Sequence, residues 1–152
     1  MNEETIIHVI WEGPLSLNDV TALQDATRDR GVYAIYGPHN VYGQSALLYI
    51  GKAERPFGLR IPEHGWRDFE RASEIQIYVG RFTLPPDQVS KHIASVESLL
   101  IYAHGPAYNS SSVQDPPHDS PLRVLRILNW RSYRAMLPEV SGLRWLTPHK
   151  LI

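Results

Sequence analysis

The chain has 152 residues, 43% of them hydrophobic, with 15 basic and 16 acidic side chains for a formal net charge of −1; this suits one domain with a real core and argues against a general polyanion sponge. With no cysteine in the chain, disulfides, thiolate zinc sites and a cysteine nucleophile are excluded. No apolar run approaches the ~18 residues of a membrane span, and an acidic start before the short run 6–11 is unlike a secretory leader, so a soluble, cytoplasmic protein with no membrane partner is expected.

Residues 5–12 are a short apolar stretch, expected as a strand that Gly13 and Pro14 end. Ser16 is an N-cap with Asp19 at the third helical position, and Leu17, Val20, Leu23 and Ala26 mark one face of a helix running to about Arg28. Residues 1–30 hold two basic and six acidic side chains, so this helix is assigned to the scaffold. Residues 31–36 and 46–51 have the β-branched and aromatic character of strands. Gly37, Pro38, His39, Asn40 and Gly43 between them are turn chemistry, which predicts an antiparallel hairpin. A period of two puts Tyr33 on a face with Gly31 and Ile35, and Tyr49 on a face with Leu47 and Gly51. Each tyrosine thus has a glycine neighbour that leaves room for an approaching group. Taken alone, such tyrosines are packing residues.

In 52–71 a helix is expected from about residues 59–61, with Pro62 in its first turn and Arg60, His64 and Arg67 on one face. Residues 74–82 alternate Ile75, Ile77 and Val79 against Gln76, Tyr78 and Gly80, a third strand. Residues 86–104 give the longest helix, with Val89, Ile93, Val96, Leu100 and Ala103 as its buried stripe, Glu97 at the stripe's edge, and Gly105-Pro106 as its end. A loop over 109–121, a strand over 122–128, a short helix over 130–137 and an irregular tail packing through Leu143, Trp145 and Leu146 complete the reading. Residues 121–152 hold six basic side chains against one acidic, and 12 of the 15 cations in the chain are arginine, whose planar fork suits phosphate. A solvated surface explains that group equally well. There is no nucleophile elbow and no Walker-type loop.

Gly31-Val32-Tyr33 and Tyr49-Ile50-Gly51, followed in order by Lys52, Arg60, His64, Glu97 and Asn109, resemble the GIY-YIG nuclease family over 31–109, with Val32 in place of the isoleucine. The resemblance implies an α+β, sandwich-like fold: a small, mainly antiparallel central sheet of three core strands flanked by helices. Residues 1–152 would then be one domain, with core 31–109, an N-terminal strand and helix extension 1–30 and a basic C-terminal extension 110–152. It also implies a metal-dependent endonuclease that hydrolyses phosphodiester bonds of DNA.

By that resemblance Glu97 is the carboxylate ligand of a divalent metal, Mg2+ or Mn2+, a hard cation that accepts few protein ligands and keeps several waters. Arg60 offsets charge on the scissile phosphate, and Tyr33 is the general base or orients the water. Ionising a tyrosine near neutral pH costs about 4 kcal/mol without a cation, and Lys52 is placed in sequence to supply one. Tyr49 holds a phosphate oxygen or the water. His64 accepts a proton from Tyr33 or binds phosphate. Arg67 and Asn109 are substrate-binding residues, although Asn109 can also brace the site or simply make a turn. DNA is the expected partner, with specificity supplied by a homodimer or a protein partner. A catalytically inactive nucleic-acid-binding module of the same fold, and a structural protein whose tyrosines only pack, are the other readings.

Overall fold

The computed structural model describes residues 4–66, 72–109 and 125–142. Its strands are β1 (Thr5–Leu15), β2 (Gly31–His39), β3 (Gly43–Ala53), β4 (Gln76–Phe82), β5 (Leu125–Arg131) and β6 (Glu139–Ser141), and its helices are α1 (Leu17–Thr21), α2 (Phe57–Arg60) and α3 (Pro86–His104). The strands form one curled sheet in the order β3-β2-β4-β1-β5-β6, antiparallel throughout except where β1 runs parallel to β5. This corrects the expected fold class: the molecule is a six-stranded mixed half-barrel, not a three-stranded core flanked by helices. Residues outside 31–109 supply three of the six strands, β1, β5 and β6.

The two faces of the sheet carry separate cores. Ile7, Val9 and Trp11 of β1, Val32, Ala34 and Tyr36 of β2, and Leu125 and Ile127 of β5 pack under the α3 stripe of Val89, Ile93, Val96 and Leu100. On the other face Tyr33, Ile35, Ile77 and Val79 pack against Val20 of α1 and Phe57 of α2. Each alternating strand in the middle of the sheet is therefore covered on both sides, so its polar-looking phase is buried as well. Inside the first core the Trp11 indole N–H donates to Asn129 Oδ1 at 2.8 Å, which satisfies both polar groups away from water.

Several elements differ from expectation for local reasons. β1 does not stop at Gly13-Pro14 but continues to Leu15, its register against β4 shifting between Glu12 and Leu15. α1 has the expected capping box, with Ser16 accepting from the Asp19 N–H and Asp19 accepting from the Ser16 N–H. It nevertheless ends at Thr21, because the Asp25 carboxylate takes the Thr27 and Arg28 N–H groups into a turn and the Gly58 N–H takes the Leu23 carbonyl, side-chain and tertiary bonds that compete with further helix. α2 starts earlier than expected and ends before Pro62, which opens a separate 3-10 turn, Pro62–His64, closed by Gly65 at φ 72°. α3 has the expected bounds, with Gly105 left-handed at φ 53° after it. No helix forms over 130–137: β5 runs to Arg131 and a turn leads into β6, which replaces the irregular segment expected from Pro138. The expected loop beyond Asn109, the first residues of the 122–128 strand, and Leu143, Trp145 and Leu146 lie outside the described residues.

Candidate active site

Tyr33 pairs across the β2–β3 ladder with Gly51. The ring lies over that glycine so closely that a Cβ at position 51 would fall 2.5 Å from the Tyr33 hydroxyl. This contact is why one strand needs a glycine opposite the other strand's tyrosine. Gly31 is required for a different reason: at φ 150° its missing Cβ would run into the Gly80 carbonyl of β4.

Beyond Ile35, two residues further up the hairpin, the register slips, so that Ile35 faces Tyr49 while Tyr36 faces Leu47. The bulge turns Leu47 into the α3 core while Tyr49 stays with Tyr33, which corrects the expectation that Leu47 and Tyr49 share a face. A bulged residue breaks the period of two and re-aims its neighbours. The Tyr33 and Tyr49 rings sit 6.0 Å apart, and Trp66 lies 5.9 Å beyond Tyr49. Tyr33 is 0% exposed and Tyr49 is half-buried.

The outer edge of β3 is closed at every second residue. The Tyr108 N–H donates to the Leu48 carbonyl at 2.8 Å. Asn109 brackets Ile50, accepting its N–H and donating to its carbonyl at 2.9 Å each. The Lys52 backbone N–H, next in the series, points to the Glu97 carboxylate from α3. Asn109 is thus a brace whose amide stands in for a missing strand, and Glu97 occupies the following rung.

Electrostatics ties these residues to one another. Burial holds the Glu97 carboxyl above its ordinary value, against the opposing pull of Lys52, Arg60 and the Lys52 N–H, with Glu54 adding to the rise. Burial likewise raises the Tyr33 hydroxyl, followed by its proximity to Tyr49, while Arg60 opposes the rise and Glu97 adds to it. Tyr49 is raised by burial and by Glu97, with Arg60 again opposing and the hydrogen bond from Tyr33 lowering it. Tyr33, Tyr49, Lys52, Arg60 and Glu97 therefore converge from β2, β3, α2 and α3. Arg60 is a cation that opposes the rise of both tyrosines, and it acts on Glu97 together with Lys52.

Arg60 is the last residue of α2, a helix hung from the Asp29 and Leu23 carbonyls by the Phe57 and Gly58 N–H groups. With Lys52, Glu54, Arg55 and Glu63 it lines an open depression of about 420 Å³, on whose wall Arg55 and Glu63 are ion-paired at 2.6 Å. Glu54 is not singled out by the sequence; its position two residues after Lys52, directly past the end of β3, is the signal it offers. His64 ends the 3-10 turn after α2, but its side chain lies outside the described residues, as does Arg67 entirely. Among the described residues no three of the metal-ligating types converge. The half-buried Glu97 alone suits a magnesium-like ion, which needs one or two carboxylates and takes its remaining ligands from water and phosphate. Lys52 and Arg60 beside it oppose a second positive charge, so such an ion would bind best together with an anionic substrate. No family model, curated protein or solved structure matches the chain.

Proposed function

We propose that the chain is a divalent-metal-dependent endonuclease that hydrolyses phosphodiester bonds of DNA. The observation that carries this reading is the convergence of two tyrosines, two cations and a half-buried carboxylate from four separate elements, the two cations lining one open depression. Phosphodiester hydrolysis needs an activated water, neutralisation of phosphate charge and relief of charge on the leaving oxygen. Arg60 neutralises phosphate charge. Tyr49, the less buried of the tyrosines, orients the attacking water and takes its proton, while Tyr33 behind it donates to the Tyr49 oxygen and so favours the phenolate. Lys52 and Arg60 oppose the burial that favours the neutral form of Glu97. A metal ion bound at Glu97 would supply Lewis-acid stabilisation of the phosphate and leaving oxygen. Asn109 and Gly51 hold the geometry through the β3 backbone and the Tyr33 ring.

The test is nicking of supercoiled DNA with magnesium or manganese by the wild type and by Glu97→Ala. Cleavage by the wild type with at least a hundredfold loss in Glu97→Ala is expected. Equal rates would sink the assignment of the metal to Glu97. A second reading, a nucleic-acid-binding module without turnover, draws on the raised hydroxyls of both tyrosines and on Glu97 as the cap of the β3 edge. DNA binding by fluorescence anisotropy with no cleavage under any divalent metal would favour it.

A further inference from the structure

The turn between β2 and β3 presents Val41 and Tyr42 to solvent, 78% and 70% exposed. The turn is organised by His39, whose Nδ1 accepts the backbone N–H groups of both Val41 and Tyr42 at 3.1 Å. The Tyr42 ring stacks on His39 with centroids 4.6 Å apart and planes 20° from parallel. Tyr108, 46% exposed, meets the same imidazole at 5.6 Å. The result is an exposed aromatic step with no charged side chain anywhere in 37–46.

Uncharged ring faces recognise other flat π faces rather than phosphate. The step is continuous with the candidate active site, because Tyr108 is bonded to Leu48 and the next residue, Asn109, brackets Ile50 directly before Gly51 and Lys52. At about 3.3 Å per strand residue, Leu48 stands about 10 Å from Gly51 and Tyr42 about 30 Å. Along one DNA strand at about 3.4 Å per nucleotide these are roughly three and nine nucleotides.

We propose that Tyr42, His39 and Tyr108 form a stacking platform for unpaired nucleobases of the DNA strand, about three to nine nucleotides along β3 from the Gly51 end of the site. This rests on the nuclease reading. Bases inside a duplex already stack on their neighbours, so the platform selects DNA that carries a single-stranded arm beside the cut.

The experiment measures affinity by fluorescence anisotropy, without divalent metal, for a labelled hairpin DNA with a single-stranded arm and for a blunt duplex. The wild type, Tyr42→Ala and Tyr42→Trp are compared, and wild-type cleavage of the armed DNA is followed separately with magnesium. The expected result is a Kd for armed DNA that rises about tenfold in Tyr42→Ala and returns in Tyr42→Trp, with blunt-duplex affinity unchanged. Equal affinity of Tyr42→Ala and wild type for armed DNA overturns the platform, and if the wild type cleaves DNA the nuclease reading survives it. Equal weakening on armed and blunt DNA also overturns it. Loss of self-association in sedimentation with DNA affinity intact would assign the step to a protein contact instead. A wild type that neither binds nor cuts DNA overturns the nuclease reading and the platform together.

Discussion

Tyr33 lies across Gly51 with no exposed surface, and Tyr49 beside it is half-buried; burial raises both hydroxyls above the ordinary value of 10.0, and Arg60 only partly opposes this. If the Tyr49 phenolate takes the proton from the attacking water, its population at neutral pH is small and grows tenfold per pH unit. The cleavage rate under saturating metal should therefore rise with a slope near one in log rate from about pH 7 to about pH 9, without a plateau. A flat profile would remove the tyrosines from proton transfer. Glu97 makes an independent prediction about stability. Its carboxyl is raised above 4.5, chiefly by burial, so the folded state binds that proton more tightly than the unfolded chain does. The side chain then costs stability once pH passes the ordinary value, in full above the folded-state value, and costs nothing below both. Glu97→Gln should melt a few degrees higher than wild type at pH 8, each kcal/mol being worth about 2–4 °C in a chain of this size, and the advantage should vanish near pH 4. A variant that melts lower at pH 8 would show that the charged carboxylate is needed to hold the β3 edge.

The β2–β3 hairpin converts two sequence tripeptides into one packed unit, because the register sets Tyr33 opposite Gly51 and the unbroken ladder from Gly51 to Tyr49 keeps Tyr49 beside it, the bulge at Leu48 coming only afterwards. Gly51→Ala would push a methyl into the Tyr33 ring. Overpacking of this kind costs about 1–3 kcal/mol, and cleavage should fall at least tenfold because the ring carries the hydroxyl away from Tyr49. Tyr33→Leu in the Gly51→Ala background should recover part of the stability but none of the activity, which chemical denaturation and the nicking assay read separately. Additive stability losses in that cycle would mean the ring and glycine do not interact. The hairpin, the capping box at Ser16 and the full span of α3 were legible in the sequence, since each depends on residues close together in the chain. The length of α1 and the position of α2 were not, because Asp25 and the meeting of Gly58 with the Leu23 carbonyl decide them, and Leu47 could not be placed because a bulge leaves no mark in the alternation.

α3 is tied to the far end of the sheet through His104, whose Nδ1–H donates to the Leu100 carbonyl and whose Nε2 accepts the Leu137 N–H, both at 2.8 Å. The neutral ring is the form that can do both, and burial depresses His104 below its ordinary 6.5. The folded state binds this proton less readily than the unfolded chain, so its contribution is present above 6.5 and is lost as pH falls from there toward the folded-state value. Thermal melts should show stability being lost as pH falls below the ordinary 6.5, and His104→Asn should flatten that loss; an unchanged slope would remove His104 as its source. Across the described residues no helix is long and apolar enough to cross a membrane. The sequence by itself determined the paired tyrosine and glycine motifs, the ordered candidates Arg60, Glu97 and Asn109, and the helix over 86–104, because spacing along a chain records local periodicity and side-chain chemistry. Only the tertiary structure decided that β1 lies inside the sheet, that β5 pairs with it in parallel from the other end of the chain, and that Arg60 stands close enough to act on both tyrosines. Strand order and the distances between charges arise from burying both faces of one curled sheet, and residues far apart in sequence carry no local signal of that pairing.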